Sequence, residues 1–239
     1  MGPSRKAGVI WVTGASSGIG AAIARRLAAE GYTVLASARR RALLHRLARS
    51  IPELHPLPCD CADHEAVMHA VAQIEQLFGH LDGLVLCAGS ALFKPLAETS
   101  VEEFEALVNA TLRSAFLCTR MALPLMLRQH RGTILYISSV ATLRAFPNSA
   151  LYGGLKAAAA QMLRGLREEV RSQGIKVVNL HVGATDTPLW SASLRRRWRH
   201  RMLRPDDVAD AVVALMQMSS RRQVLPEELV LRPQLGDLP

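Results

Sequence analysis

Thr13-Gly14-Ala15-Ser16-Ser17-Gly18-Ile19-Gly20 is the stretch on which the reading of this 239-residue chain turns. It follows the apolar, β-rich run Val9–Thr13 and opens the segment Ala21–Ala29, in which Ile23 and Leu27 repeat at helical spacing. Glycines between a strand and a helix let the backbone turn sharply and let a pyrophosphate approach. The helix N-terminus then offers free N–H donors and the positive end of its dipole. The spacing is G-x-x-x-G-x-G, not the G-x-G-x-x-G of the commoner dinucleotide fingerprint. By itself the same turn also serves as a tight strand–helix connection.

Outward from the turn, strand-like runs recur at Thr33–Ser37, His55–Cys59, Leu84–Cys87, Thr133–Ser138, Lys176–Leu180 and Leu229–Leu231. Helical spacing fills the intervals, as in Val67, Val71, Ile74 and Leu77, and again in Phe104, Leu107 and Val108. Several runs are apolar on both faces, as strands covered by helices on two sides must be. Alternation of this kind predicts an α/β fold: a single doubly wound Rossmann-type domain over residues 1–239, with a seven-stranded, mostly parallel sheet flanked by helices. No internal repeat, low-complexity segment or Gly/Ser/Pro linker divides the chain.

The second strand ends at Ser37-Ala38-Arg39-Arg40. An acid about 20 residues beyond the glycines would bind the ribose 2′-hydroxyl of NAD, whereas arginine accepts the 2′-phosphate of NADP. Arg39 and Arg40 occupy that place, and the planar guanidinium fork suits a phosphate. The expected cofactor is therefore NADP(H), with Arg39 first and Arg40 beside it.

Tyr152-Gly153-Gly154-Leu155-Lys156 opens a further helical segment. Its tyrosine and lysine stand four residues apart, on one helix face. A free tyrosine, with a pKa near 10, is a poor base at neutral pH, and a nearby cation stabilises its phenolate. Ser139 ends the fifth strand-like run, at the C-terminal edge of the sheet where ligands bind. Its hydroxyl there can hold a substrate oxygen as charge develops, with Ser138 as the competing neighbour.

The glycine turn, Ser139, Tyr152 and Lys156 in order and spacing, with Asn109 between them, resemble the short-chain dehydrogenase/reductase family over nearly the whole chain. The resemblance implies that Gly14, Ser16, Ser17, Gly18, Ile19 and Gly20 surround the cofactor. It implies that Asp60 and the backbone of Cys61 meet the adenine, and that Ala88 and Gly89 lie beneath the adenosine. Thr187 would hold the nicotinamide carboxamide. Tyr152 would act as proton donor or acceptor, Ser139 would hold the substrate oxygen, Lys156 would orient the nicotinamide ribose and lower the tyrosine pKa, and the backbone carbonyl of Asn109 would hold a relay water. Two positions depart from the family pattern: Cys87 replaces an asparagine and Val182 a proline. The implied activity is that of an NADP-dependent oxidoreductase acting on a small carbonyl or alcohol substrate, assembled as a homotetramer or homodimer on helices near 104–128 and 152–172. The alternative is a non-catalytic NADP-binding sensor on the same fold.

Charge and composition bound what remains. The net charge is +9, and 25 of the 29 basic residues are arginine. Six of these, Arg195, Arg196, Arg197, Arg199, Arg201 and Arg204, surround Trp198 in a stretch expected to belong to a substrate lid over about 188–204. No recognised nucleic-acid motif accompanies them, so nucleic acid is not an expected partner. Four cysteines without paired C-x-x-C spacing predict no metal and no disulfide scaffold, and reduced thiols suggest a cytoplasmic protein. No apolar run is long enough to span a membrane. The Met1–Lys6 opening is followed by too short an apolar stretch for a signal peptide.

Overall fold

A computed structural model describes residues 7–238; the Met1–Lys6 opening lies outside the described residues. Seven strands form one sheet: β1 (Ala7–Thr13), β2 (Tyr32–Ser37), β3 (Leu54–Pro56), β4 (Gly83–Leu86), β5 (Gly132–Ser139), β6 (Ile175–Val182) and β7 (Glu228–Leu231). Their spatial order is β3-β2-β1-β4-β5-β6-β7 and every pairing is parallel, so the sheet is wholly rather than mostly parallel. The order reverses between β1 and β4, which opens a crevice at their C-terminal ends.

Strand alternation sends neighbouring side chains to opposite faces. Trp11, Leu84, Ile134, Tyr136 and Val177 bury one face beneath α3 (His64–Phe78), α5 (Ser114–Arg128) and α6 (Ala150–Val170). Ile10, Val12, Val85, Leu135 and Val178 bury the other beneath α1 (Gly18–Ala29) and α8 (Pro205–Ser219). Trp11 on the first face is fully buried, and its indole N–H donates to Ser37 Oγ at 2.8 Å. That hydroxyl donates in turn to the Leu57 carbonyl at 2.6 Å, so a buried polar chain ties three strands together.

Two strands, β3 and β4, stop short of their expected last residues. β3 stops at Pro56, although Leu57 N and Cys59 N go on donating to Ala36 O and Ala38 O. Pro56 and Pro58 have no N–H to give, so the pairing continues only at alternate residues. β4 stops at Leu86 because the amides of Cys87 and Ala88 both turn to Thr13 Oγ1, at 3.0 and 3.1 Å.

Three segments lie over the C-terminal edge of the sheet. The loop after β4 leads into α4 (Val101–Val108), whose N-terminus carries a reciprocal Ser100–Glu103 capping box. A π-helical turn, Asn109–Arg113, then joins α4 to α5. A short turn after β5 leads to α6. The excursion after β6 carries α7 (Ala192–Trp198), and its base is pinned where Thr185 bridges Leu203 and Asp186 N donates to Leu203 O. The expected lid at 188–204 corresponds to this excursion.

Candidate active site

The glycine turn is built for close approach. Gly14 and Gly18 take φ of 68° and 55°, in the left-handed region that a side chain disfavours. A Cβ on Gly14 would stand 2.8 Å from the Ala88 backbone, and one on Gly20 would stand 2.4 Å from the Gly14 carbonyl oxygen. The segment after β4 therefore packs directly on the turn. A Cβ on Gly18 would reach Thr187 Cβ at 3.2 Å, so the start of the lid meets the turn from the other side. An open cleft of about 550 Å³ borders the turn at Ser16, Ser17 and Gly18, with Arg25, Arg46 and Asp186 also on its wall.

Arg40, rather than Arg39, engages the turn. Its Nη2 donates to Ser16 Oγ at 2.9 Å and to Ser17 Oγ at 2.7 Å, while Arg39 is simply exposed. Asp60 is exposed beyond β3, its Oδ1 accepting the Ala62 amide at 3.0 Å, and Cys61 beside it is buried.

Tyr152 stands in the first turn of α6 and Ser139 at the end of β5. They come together because residue 153 has no side chain: a Cβ there would lie 3.0 Å from the Ala141 carbonyl oxygen, in the turn that follows Ser139. The Ser139 hydroxyl accepts the Ala141 amide at 3.1 Å and is within hydrogen-bonding reach of Tyr152. Ser138 points the other way along the strand, with its hydroxyl buried and unpartnered among the described residues. Lys156 is only 7 % exposed; its Nζ donates to the Ile137 carbonyl at 2.8 Å and lies 4.9 Å from the centre of the Tyr136 ring.

The electrostatics differ from the expected pattern. Burial pushes Tyr152 above the ordinary phenol value, and the Ser139 hydrogen bond only partly opposes it. Burial brings Lys156 down to about 8. The lysine ammonium is turned to the Ile137 carbonyl. At neutral pH Tyr152 holds its proton and Lys156 its charge.

Asn109 is the expected residue that the structure does not bring to the site. Its side chain is exposed, and its carbonyl oxygen accepts the Ser114 amide, closing the π-helical turn. Thr111, four residues after the buried Leu107, faces inward instead: it is 1 % exposed and its Oγ1 has no hydrogen-bond partner among the described residues. A Cβ placed on Gly89 would lie 3.6 Å from Lys156 Nζ and 4.0 Å from Thr111 Oγ1, so both polar atoms border the same space.

Behind Ser139 lies a polar cluster that single-sequence reasoning missed. His181, 1 % exposed, bonds Glu228 Oε2 through Nε2 at 2.6 Å and meets Thr142 Oγ1 through Nδ1 at 2.7 Å. Thr142 Oγ1 lies 2.7 Å from the Ser139 carbonyl oxygen. Burial would raise the Glu228 carboxyl, but hydrogen bonds from Arg164, His181, Arg167 and Asn179 outweigh it and hold it down to about 2. These residues are far apart in sequence, so only the β6–β7 pairing reveals the cluster. At the two family departures, Thr13 takes up the Cys87 amide, and Val182 stays in the ladder opposite Leu231. Among the described residues no group of His, Cys, Asp and Glu could hold a metal, and no helix is long and apolar enough to cross a membrane.

Comparison with known proteins agrees with this arrangement. The family model for short chain dehydrogenase matches residues 8–198. An uncharacterized oxidoreductase from Staphylococcus saprophyticus is 32 % identical, over 93 % of this chain and 95 % of its own. An alcohol dehydrogenase from the archaeon Thermococcus sibiricus, solved with 5-hydroxy-NADP, is 29 % identical with a TM-score of 0.85, covering 97 % of this chain and 98 % of that one. A 3-ketoacyl-(acyl-carrier-protein) reductase from Brucella melitensis, solved with NADH, is 28 % identical with a TM-score of 0.89, covering 97 % and 99 %.

Proposed function

Because the chain belongs to the short chain dehydrogenase family, we propose that this oxidoreductase reduces a carbonyl group, or oxidises the corresponding alcohol, with NADP(H) as its preferred cofactor. The observation that carries the reading is Tyr152, buried yet within reach of Ser139 and one helical turn from a charged, buried Lys156.

The residues present fit the dinucleotide. Ala88 and Gly14 crowd a glycine turn that no side chain may fill, and an arginine lies where a 2′-phosphate would sit, with no acid to contest it. Gly14, Ser16, Ser17, Gly18, Ile19 and Gly20 would hold the pyrophosphate and adjoining ribose, with Arg40 on the 2′-phosphate. Asp60, Cys61, Ala88 and Gly89 would line the adenosine, and Thr187 the nicotinamide. The bound cofactor would supply or accept the hydride, chemistry that no side chain can provide.

The chain's own part is proton transfer and positioning. Ser139 holds the substrate oxygen through its hydroxyl, and Tyr152 delivers its proton to that same oxygen. Burial keeps that proton on Tyr152 at neutral pH, which suits a general acid. Lys156 keeps a positive charge where the tyrosine oxygen becomes anionic, and it supplies donors for the nicotinamide ribose. Thr111, rather than Asn109, is the polar side chain placed to complete the lysine's surroundings. The chain is also proposed to form a homodimer or homotetramer through α4, α5 and α6.

A panel of aldehydes and ketones supplied with NADPH or NADH tests the reading. Cofactor consumption, faster with NADPH, is expected. Tight NADPH binding without turnover of any member would instead favour a sensor.

A further inference from the structure

We infer that Phe93 and Trp190 form the substrate wall of the site, and that the site takes a neutral carbonyl compound bearing a flat aromatic group beside the reacting carbon. This rests on the carbonyl-reductase reading of Tyr152.

Phe93 comes from the loop after β4 and Trp190 from the lid after β6. The two rings stack with centroids 4.9 Å apart and planes 8° from parallel. Phe93 also meets the Tyr152 ring edge-on, at 5.6 Å and 61°. A flat aromatic surface therefore adjoins the phenol that donates the proton. Phe93 is 42 % exposed, so solvent reaches its ring and it is not filling a core. Leu107 and Leu155 pack against Tyr152, with Ala91, Leu92 and Ala141 around them, which makes the rest of the surroundings apolar.

The charges near this wall are already engaged. Lys94 pairs with Glu103 at 2.9 Å, and Arg195 with Asp186 at 2.6 Å. Arg144, in the turn after β5, lies 3.6 Å from Asp237 and 5.5 Å from the Phe146 ring centre. The remaining lid arginines stand on α7 or beyond it, with Arg197 and Arg201 over Trp198 rather than Trp190. An anionic substrate would compete with these carboxylates for the same cations. A flat neutral ring breaks none, and offset or edge-on aromatic contacts favour it over a saturated ring of equal size.

Benzaldehyde, cyclohexanecarbaldehyde and pyruvate, each with NADPH, separate the possibilities. Benzaldehyde should show a kcat/KM roughly three- to tenfold above that of the saturated analogue, with pyruvate the poorest. Trp190→Leu and Phe93→Leu keep apolar bulk but lose the flat face. Each should bring the first two values together, chiefly through KM. As a readout independent of turnover, benzaldehyde should quench tryptophan fluorescence in the NADP+ complex, and Trp190→Leu should abolish the quenching. Equal rates for the two aldehydes, a preference for pyruvate, or an aryl preference unchanged in both variants overturns the inference. Turnover without quenching also overturns it while leaving the reductase reading intact. Quenching without turnover of any carbonyl leaves the aromatic site standing and overturns the reductase reading. Neither signal overturns both.

Discussion

At the residue scale, function depends on a few atoms that burial has tuned. Lys156 is the clearest case. Its pKa of about 8 means that the ammonium is lost as pH rises through that value. In the free enzyme, kcat/KM for reduction should therefore be flat near neutrality and fall above about pH 8, because kcat/KM reports groups of the free enzyme. A profile unchanged up to pH 10 would remove Lys156 from its role. Arg40 gives a second test. Arg40→Ala removes the fork at the turn and should weaken NADPH roughly 10- to 100-fold, the worth of hydrogen bonds to a charged group, with little effect on NADH. Equal loss of both cofactors in binding titrations would contradict the 2′-phosphate assignment. The position of the arginine pair was legible in the sequence, because it follows from the length of one strand–helix–strand unit. Which of the two turns inward was not, since it depends on the backbone at the start of α2 (Arg41–Ala48), where Arg40 is the N-cap.

At the element scale, short contacts between elements create the site. Behind Ser139, Glu228 at the start of β7 joins Arg164 and Arg167 of α6 and Asn179 and His181 of β6. Glu228 is held well below the ordinary glutamate value, so the stability it contributes is present above about pH 4.5 and is lost as pH falls toward about 2. Glu228→Gln leaves the buried Arg167 partly unpaired and should cost about 1–3 kcal/mol at pH 7. The gap from the parent should narrow in denaturant melts at pH 3; an equal gap at both pH values would show that the carboxylate charge is not what matters. The strands themselves were readable, since apolar runs and turn residues mark them. The helix residue at the site was obscured by the more polar asparagine beside it: helical spacing places Asn109 and Thr111 on different faces, and Thr111 shares the face of the buried Leu107 four residues before it.

At the scale of the whole molecule, four of the six arginines around Trp198 find partners within the chain, which leaves the net charge of +9 unchanged. Arg195, Arg197, Arg201 and Arg204 have partners in Asp186, Trp198, the Leu235 carbonyl and Asp207. These four contacts fasten the segment after β6. Two exposed aromatic side chains stand on α4 and α5, Phe104 at 46 % and Phe116 at 49 % exposure. Replacing both with glutamate should shift sedimentation toward a monomer, whereas an unchanged assembly would place the contact elsewhere. The doubly wound, seven-stranded sheet was legible, because strands alternating with helices call for parallel crossovers of one hand. The attachments of the segment after β6 were not, because they depend on the backbone path of that loop rather than on a periodic pattern.

Tyr152→Phe tests the central claim most directly, measured for NADPH affinity and for carbonyl reduction in the same preparation. The variant should bind NADPH as the parent does and lose about 10²- to 10⁴-fold in kcat, the usual worth of a positioned proton donor. Reduction at the parental rate with unaltered cofactor binding would contradict it.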